Sequence, residues 1–229
     1  MEELIFSKER RIKGNLHRLD EMDDNDKNLY NLIKAILNVK YLYIDRYQIS
    51  VERLERVFAY ELYYQWSIII DRLNKKRELG DKYILNGETE KTMSHFEENP
   101  EKSRTYPDLI LHKSIDKAKG QAIVCEIKRK GNFTKGGLGD DINKLRKFVC
   151  KLQNEYTFSF GVFILTGDKM KTILEKMNSL HWTKRRRGFK SERILLIAYD
   201  GTQIQLVTLH DALDQKERND YIKNHKDEK

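Results

Sequence analysis

The chain has 229 residues, and its hydrophobic content of 39% is typical of a globular protein with one substantial core, not of a disordered chain. Lys and Arg outnumber Asp and Glu by 44 to 36, which gives a formal net charge of +8. This excess favours a polyanionic partner, because basic side chains that neutralise phosphates release condensed counterions. The two cysteines form no CxxC pattern, which excludes the usual zinc-finger arrangement.

No segment of the sequence is predicted to be a membrane span or a secretory signal. The most apolar stretch, residues 57–70, is interrupted by Glu61, Gln65 and Ser67, and it is shorter than the roughly 20 apolar residues that a span needs. The first residues, MEELIFSKERRIKG, lack the apolar run of a secretory signal. We therefore expect a cytoplasmic protein that does not insert into a membrane.

The N-terminal part of the chain is predicted to be helical. Apolar residues recur at helical spacing over residues 28–44, after an acidic run at residues 23–26 that contains good N-capping residues. A second, longer helix is predicted over residues 50–79, where Gly80 would end it. We therefore expect residues 1–50 to form an N-terminal helical extension.

After Gly80, short apolar runs typical of strands alternate with helical segments. Strands are predicted at residues 83–85, 106–112, 121–129, 158–166, 192–199 and 203–208, and helices at about residues 140–155 and 168–180. Asp140 and Asp141 are candidate caps for the first of these helices. This order predicts an α/β fold with a central mixed sheet flanked by helices over residues 51–210. Residues 211–229 are predicted to be a charged C-terminal helix or tail.

Acidic and basic side chains meet in the strand predicted at residues 121–129, QAIVCEIKR. Side chains alternate across a sheet, so Glu126 and Lys128 would share one face while the residues between them point to the other. Asp108 stands at the entrance of the apolar run at residues 109–111. If these two strands pair, Asp108 and Glu126 converge. The alternative is an exposed ion pair of Glu126 and Lys128 on an edge strand, which would contribute little to stability.

A third acid, Glu61, is predicted to lie near this pair. It belongs to a stripe of the long helix that recurs by three and four residues, formed by Val51, Leu54, Phe58, Glu61, Gln65 and Ile68. Three carboxylates brought together would repel by roughly 3 kcal/mol per pair at about 5 Å and an effective dielectric of about 20. Lys128 alone cannot neutralise three charges, whereas Lys128 and a divalent cation together nearly can. The alternative for Glu61 is an acid at the margin of the stripe, paired with a nearby Lys or Arg.

These motifs resemble the PD-(D/E)XK nuclease superfamily. Pro107-Asp108 is followed after 17 residues by Glu126-Ile127-Lys128, and Glu61 sits on the preceding helix, where many members carry a further metal-binding acid. The predicted order of elements over residues 51–210, about 160 of the 229 residues, is similar to that family's core of helix, three strands, helix and strand. A looser similarity covers residues 141–148, which follow the pattern Asp-x-x-Lys-hydrophobic-x-x-aromatic.

The resemblance implies a restriction-endonuclease-like fold and a metal-dependent endonuclease. It implies a magnesium ion, or manganese, held by Asp108, Glu126 and the Ile127 carbonyl, with Glu61 contributing directly or through water. Lys128 would orient the attacking water or help to deprotonate it, and the enzyme would hydrolyse phosphodiester bonds of nucleic acid. Oxygen ligands without Cys or His favour magnesium or manganese over zinc. By analogy alone, DNA is favoured over RNA as the substrate.

Basic residues beside the motif and in one later segment are candidate nucleic-acid contacts. Residues 181–190, HWTKRRRGFK, place basic side chains among aromatic ones, as in a loop that grips phosphates and stacks a base. The candidates are Arg129, Lys130, Lys135, Lys144, Trp182, Lys184, Arg185, Arg186, Arg187 and Lys190. The alternative for residues 181–190 is a solvated loop. Asp141 and Lys144 are open between two interpretations, part of a catalytic shell or a helix cap and a solvated lysine.

Two other functions stay open on the sequence alone. One is a catalytically inactive member of the same fold that binds nucleic acid or a protein partner, although the complete set of Asp108, Glu126 and Lys128 argues against it. The other is a helical and β scaffold whose charges only cover the surface. Tyrosine-rich stretches at residues 41–47 and 60–64 are common at core boundaries or subunit contacts, so a homodimer is also open.

Overall fold

The computed structural model describes residues 4–7, 23–39, 51–87, 107–113, 121–150, 158–180 and 191–224. These residues form one mixed seven-stranded sheet and five α-helices, which confirms the predicted α/β class. The strands are β1 (Leu4–Ser7), β2 (Tyr83–Asn86), β3 (Leu109–Lys113), β4 (Gln121–Arg129), β5 (Phe160–Thr166), β6 (Ile194–Tyr199) and β7 (Gln203–Thr208). The helices are α1 (Asp24–Asn38), α2 (Val51–Asn74), α3 (Lys135–Val149), α4 (Met170–Asn178) and α5 (Leu209–Asn224).

The sheet has the strand order β1-β7-β6-β5-β4-β3-β2. Strands β2, β3 and β4 form an antiparallel meander, whereas β5 lies parallel to β4 and β6 lies parallel to β5. Strands β7 and β1 complete the other edge in antiparallel orientation. The antiparallel half of the sheet therefore meets the parallel half at β4.

Helices cover both faces of the sheet, and each face has its own apolar core. Helices α1 and α2 pack on the face to which Ile123, Cys125 and Ile127 of β4 point. Helices α3, α4 and α5 pack on the opposite face, to which Val124 of β4 and Phe163 of β5 point. The predicted alternation along β4 is confirmed, because successive side chains enter different cores.

The N-terminal region differs in part from the prediction for residues 1–50. Helix α1 forms, and Asp23 caps it through two backbone hydrogen bonds of 2.8 Å. Its Leu32 and Ile36 are fully buried in the core that also contains β4 side chains, so α1 belongs to the packing of the sheet. Leu4–Ser7, where a helical extension was expected, is an edge strand paired with β7.

Helix α2 ends at Asn74, five residues before its predicted end at Leu79. The Asn74 side chain accepts a hydrogen bond from the Tyr83 N–H at 2.9 Å and donates one to the Tyr83 carbonyl at 2.7 Å. These two bonds fix the end of α2 to β2, the edge strand of the meander. A short 3-10 turn at Leu79–Asp81 completes the connection.

Helix α3 begins at Lys135, five residues before the predicted caps at Asp140 and Asp141. Thr134 is the N-cap, and its Oγ1 accepts a hydrogen bond from the Gly137 N–H at 3.0 Å. The prediction of Asp140 and Asp141 as caps is therefore wrong, because both lie inside the helix. Asp140 is exposed, whereas Asp141 points toward the sheet and is buried.

The C-terminal region contains the predicted helix, which is α5. Thr208 caps α5 by accepting a hydrogen bond from the Asp211 N–H at 3.0 Å. Over the ranges that the structure describes, no helix is both long and apolar enough to cross a membrane.

Candidate active site

Asp108 and Glu126 lie on neighbouring strands. Leu109, the first residue of β3, pairs with Cys125, so Asp108 stands directly before β3 and beside the end of β4. The Asp108 N–H donates to the Cys125 carbonyl at 3.0 Å, and Asp108 Oδ2 accepts a hydrogen bond from the Ile127 N–H at 2.6 Å. The Asp108 carboxylate also raises the pKa of Glu126, so the two acids interact electrostatically.

The Ile127 carbonyl faces the same side as Asp108. In an extended strand the N–H and C=O of one residue point to the same side, as they do when opposed residues exchange both hydrogen bonds. The Ile127 N–H points to Asp108, so the Ile127 carbonyl also points toward β3. It lies beyond the last pair that joins β3 to β4, which leaves it outside that ladder.

Glu126 is a buried acid on the α3 side of the sheet, with 2% of its surface exposed. Its Oε1 atom is buried and has no hydrogen-bond partner among the described residues. Burial first and the Asp108 carboxylate second raise the pKa of Glu126 from the usual 4.5 to about 8, although Lys144 and Lys128 oppose this shift. A carboxylate in this position needs a further positive charge to be stable in its ionised form.

Lys128 lies two residues farther along β4, between acids from two helices. Its Nζ is 3.5 Å from Glu55 Oε1 on α2 and 3.8 Å from Asp141 Oδ2 on α3. Burial alone would lower the pKa of Lys128, but the carboxylates of Asp141, Glu55, Asp108 and Glu126 together raise it. Lys128 is therefore held as an ammonium ion beside the buried acids.

Lys144 on α3 connects the two buried acids. Its Nζ lies 3.5 Å from Glu126 Oε2 and 3.1 Å from Asp141 Oδ1. Burial alone would lower the pKa of Lys144, but Glu126 and Asp141 raise it. Glu55, Lys128, Asp141, Lys144 and Glu126 therefore form a continuous row of alternating charges, which we call the charge row.

Comparison with protein-family models, curated proteins and solved structures found no match to this chain. Of the predicted catalytic residues, the structure brings Asp108, Glu126 and Lys128 together at the carboxyl end of β4.

The structure pairs Glu61, the fourth predicted catalytic residue, with a residue of its own helix. Glu61 is partly buried, and its Oε1 accepts a hydrogen bond from Gln65 Nε2 at 2.8 Å. This hydrogen bond lies within α2. The prediction that Glu61 faces the core is wrong. The fully buried side of α2 consists of Phe58, Leu62, Trp66 and Ile70.

Glu55 is the residue that the sequence analysis missed. It lies three residues before Phe58, so it continues the buried stripe with the spacing 3, 4, 4, 4 that one face of a helix requires. Glu61 is six positions farther on, which places it about 120° away around the helix axis at 100° per residue. This spacing is present in the sequence, and together with the large side chains of Phe58 and Trp66 it points to Glu55.

The predicted nucleic-acid contacts fall into three groups. Arg129 and Lys130 lie at the end of β4, and Lys135 is exposed at the start of α3. Lys130 Nζ lies 4.0 Å from Asp168. Lys144 is half-buried in the charge row, so it is not the solvated lysine of the alternative interpretation. Trp182, Lys184, Arg185, Arg186, Arg187 and Lys190 lie outside the described residues.

The donor atoms of the site fit a hard divalent cation. Asp108, Glu126 and the Ile127 carbonyl offer oxygen, and Glu126 Oε1 is a buried oxygen without a hydrogen-bond partner. Asp108 and the charge row together contain four carboxylates and two ammonium groups, which leave two negative charges when all are ionised. One divalent ion would neutralise them.

The number of acidic ligands sets how such an ion would be held. In the part of the chain that the structure describes, no three His, Cys, Asp or Glu side chains are arranged to ligate one ion. A metal here would therefore need the backbone carbonyl, water and substrate oxygens in addition to the two acids. Mg²⁺ is commonly bound in this way, through one or two carboxylates with several waters and phosphate oxygens.

Proposed function

We propose that the protein is a metal-dependent endonuclease of the PD-(D/E)XK type that hydrolyses phosphodiester bonds in nucleic acid, with DNA as the favoured substrate. The observation that carries this proposal is the meeting of Asp108, Glu126 and Lys128 at the ends of two adjacent strands, with one buried Glu126 oxygen lacking a partner. A buried carboxylate oxygen without a hydrogen-bond partner is costly to stability, and perturbed acids of this kind are concentrated at functional sites.

The order of the elements around the site also supports the proposal. Helix α2 precedes the antiparallel meander β2-β3-β4, helix α3 follows it, and β5 then lies parallel to β4. This is the order of helix, three strands, helix and strand expected of the restriction-endonuclease-like core. The acids sit where β3 begins and β4 ends, as the motif requires.

The side chains have distinct roles in the proposed reaction. Asp108, Glu126 and the Ile127 carbonyl would hold Mg²⁺ or Mn²⁺, which when bound supplies polarisation of the scissile phosphate and balances its developing charge. Lys128, which its acidic neighbours keep protonated, would orient the attacking water and stabilise the phosphate charge. A bond forms between the water oxygen and phosphorus, the bond to the leaving oxygen breaks, and the proton of the water passes to solvent while the leaving oxygen takes up a proton.

Cleavage assays test the proposal directly. Purified protein is incubated with supercoiled, linear and single-stranded DNA and with single-stranded RNA, each with Mg²⁺ and with EDTA. We expect Mg²⁺-dependent cleavage that falls by at least about 100-fold in Asp108→Ala and Lys128→Ala. Lys171→Ala is the matched control, because Lys171 is an exposed lysine on α4 that also pairs with a glutamate. Equal cleavage by wild type and Lys128→Ala would reveal a contaminating nuclease and contradict the proposal.

One observation favours a second candidate, an inactive member of the same fold that binds nucleic acid or a protein partner. Lys144 Nζ lies 3.5 Å from Glu126 Oε2, so an internal ammonium already compensates part of the charge that a metal would neutralise. Metal-dependent stabilisation separates the two candidates. Mg²⁺ at 100 times its Kd adds about 2.7 kcal/mol of stability, which corresponds to roughly 5–10 °C in Tm for a chain of this size. The endonuclease requires this shift and its loss in Asp108→Ala, whereas the inactive protein shows no shift.

A further inference from the structure

We propose that Glu55 and Asp141 are positioning residues that hold the Lys128 ammonium from opposite faces of the sheet. This inference deepens the proposed function and rests on it. It assigns a role to two acids that the PD and ExK motifs do not include, and it separates that role from metal binding.

Glu55 uses its two carboxylate oxygens on two consecutive residues of β4. Oε1 lies 3.5 Å from Lys128 Nζ, and Oε2 accepts a hydrogen bond from the Arg129 N–H at 3.2 Å. The carboxylate therefore links the tip of the Lys128 side chain to the peptide that follows Lys128. Each oxygen of Glu55 has a partner, in contrast to Glu126 Oε1, which has none. Glu55 therefore fixes the Lys128 ammonium relative to the backbone of β4.

Asp141 approaches Lys128 from the other side. It lies on α3, with 3% of its surface exposed, and its Oδ2 is 3.8 Å from Lys128 Nζ. Its other oxygen, Oδ1, is 3.1 Å from Lys144 Nζ, which fixes the carboxylate from behind. Because α2 and α3 pack on opposite faces of the sheet, Lys128 is held between two helices at the end of the strand.

The two contacts determine where the ammonium can go. A lysine side chain has a flexible four-carbon stem and loses rotamer entropy when it is fixed. Two fixed acids confine the ammonium before substrate arrives, so less of this entropy is lost during the reaction. Removing one acid should therefore reduce kcat, because Lys128 would act from a wider range of positions. Substrate binding, which depends on other contacts, should change little.

Kinetics and metal binding of Glu55→Gln test the inference. Gln keeps the size of the side chain and removes its charge. We expect kcat with Mg²⁺ to fall on the order of 10- to 100-fold, with KM and the Kd for Mn²⁺ in the absence of nucleic acid each within about threefold of wild type. Glu175→Gln is the matched control, because it removes an acid that pairs with a lysine, Lys171, on the surface of α4. Asp108→Asn is the reference for a lost metal ligand, and it should weaken Mn²⁺ binding by at least about tenfold.

The outcomes distinguish this inference from the proposed function. If Glu55→Gln weakens Mn²⁺ binding as Asp108→Asn does, Glu55 is a metal ligand and the positioning role is wrong. Unchanged kcat in both Glu55→Gln and Asp141→Asn also overturns the inference, while the proposed function stands. A wild-type protein that binds Mn²⁺ but cleaves no substrate overturns both. The Tm of each variant in EDTA, compared with wild type, shows whether a loss of kcat comes from unfolding.

Discussion

Glu126 has its carboxylate in a place where water cannot compensate its charge. Of its two oxygens, one lies 3.5 Å from Lys144 Nζ and the other has no partner. A shift of one pKa unit corresponds to about 1.4 kcal/mol, so a pKa of about 8 instead of 4.5 corresponds to at most roughly 5 kcal/mol. The folded protein therefore keeps Glu126 protonated over a pH range in which the unfolded chain does not.

This difference predicts a pH-dependent effect of Glu126→Gln on stability without metal. The folded pKa is raised, so the stabilisation from protonated Glu126 is complete below about pH 4.5 and is lost as the pH rises to about 8. Gln resembles the protonated acid at every pH. We expect the free energy of unfolding of Glu126→Gln to match that of wild type near pH 5 and to exceed it by about 2–4 kcal/mol at pH 9. Urea denaturation in EDTA measures both values.

Glu175→Gln is the control, because this exposed acid on α4 lies outside the charge row. The difference between Glu126→Gln and wild type should grow with pH, whereas the difference for Glu175→Gln should stay small. An offset for Glu126→Gln that is the same at pH 5 and pH 9 would mean that Glu126 is ionised in the folded protein across this range.

The positions of Asp108, Glu126 and Lys128 were predictable from the sequence, because each follows from a local pattern. Glu126 and Lys128 share a face by the alternation of a single strand, and Asp108 precedes a run too apolar to be anything but a buried strand. The sequence does not decide between a cap and a catalytic-shell role for Asp141, because the glycines before it resemble a loop. Its burial depends on α3 packing against β4 and β5, which no local pattern records.

At the scale of elements, the phase of a helix decides which acid enters the site. Two stripes run along α2, and in each of them the residues are spaced by three and four positions. Only the stripe through Leu62 and Trp66 is fully buried. The other stripe, through Glu61 and Gln65, lies at the margin. Trp66 is the largest fully buried side chain of the protein's described part, and weighting the stripes by side-chain volume selects the correct one.

The contact between Asn74 and Tyr83 holds the far end of α2, and its loss should destabilise the protein. Asn74→Ala removes two hydrogen bonds and leaves the Tyr83 N–H and carbonyl without these partners. We expect a decrease of about 1–3 kcal/mol in the free energy of unfolding. Asn178→Ala, at the exposed end of α4, is the control and should change stability by less than about 0.5 kcal/mol.

Urea denaturation near pH 7 provides the measurement for both asparagine variants. A small effect of Asn74→Ala, no larger than that of Asn178→Ala, would show that α2 is held to β2 by packing alone. The two hydrogen bonds would then not explain where this helix ends.

Three glycines near the start of α3 explain why the sequence predicts this start five residues too late. Gly136, Gly137 and Gly139 are poor helix formers, and a run of them usually indicates a loop. In the structure the Thr134 cap and the apolar contacts of Leu138 and Ile142 outweigh this preference. Gly139 lies close to the Leu180 side chain, so this helix end also packs against the segment that follows α4.

At the scale of the whole molecule, long-range pairing explains what the sequence could not predict. Strand β1 pairs with β7, about 200 residues away along the chain, and its four residues have no local partner that would reveal a strand. Helix α1 was predicted, but its place in the core beside α2 was not, because a stripe of apolar residues does not identify the surface it covers. The α/β class was predictable, because every other strand has a strong local pattern.

The net charge of +8 predicts that nucleic-acid binding depends on salt. The double variant Lys130→Ala/Lys135→Ala should lower the slope of log Kd against log salt concentration by about 1–2 for duplex DNA. Fluorescence anisotropy between 50 and 200 mM salt, in EDTA to prevent cleavage, gives the slope. Lys147→Ala/Lys171→Ala removes two exposed lysines away from the end of β4 and is the control. Identical slopes for the two double variants would indicate that the residues beside the motif do not contact phosphate.

The ladder between β3 and β4 begins at Leu109, directly after Asp108. Residue 107 is a proline, which has no N–H and therefore cannot donate a hydrogen bond to extend the ladder toward its own N-terminus. Among the described residues, the pairing of β3 with β4 accordingly ends at Leu109 and Cys125. Where this ladder stops, the Asp108 carboxylate accepts the hydrogen bond of the Ile127 N–H in place of a backbone carbonyl.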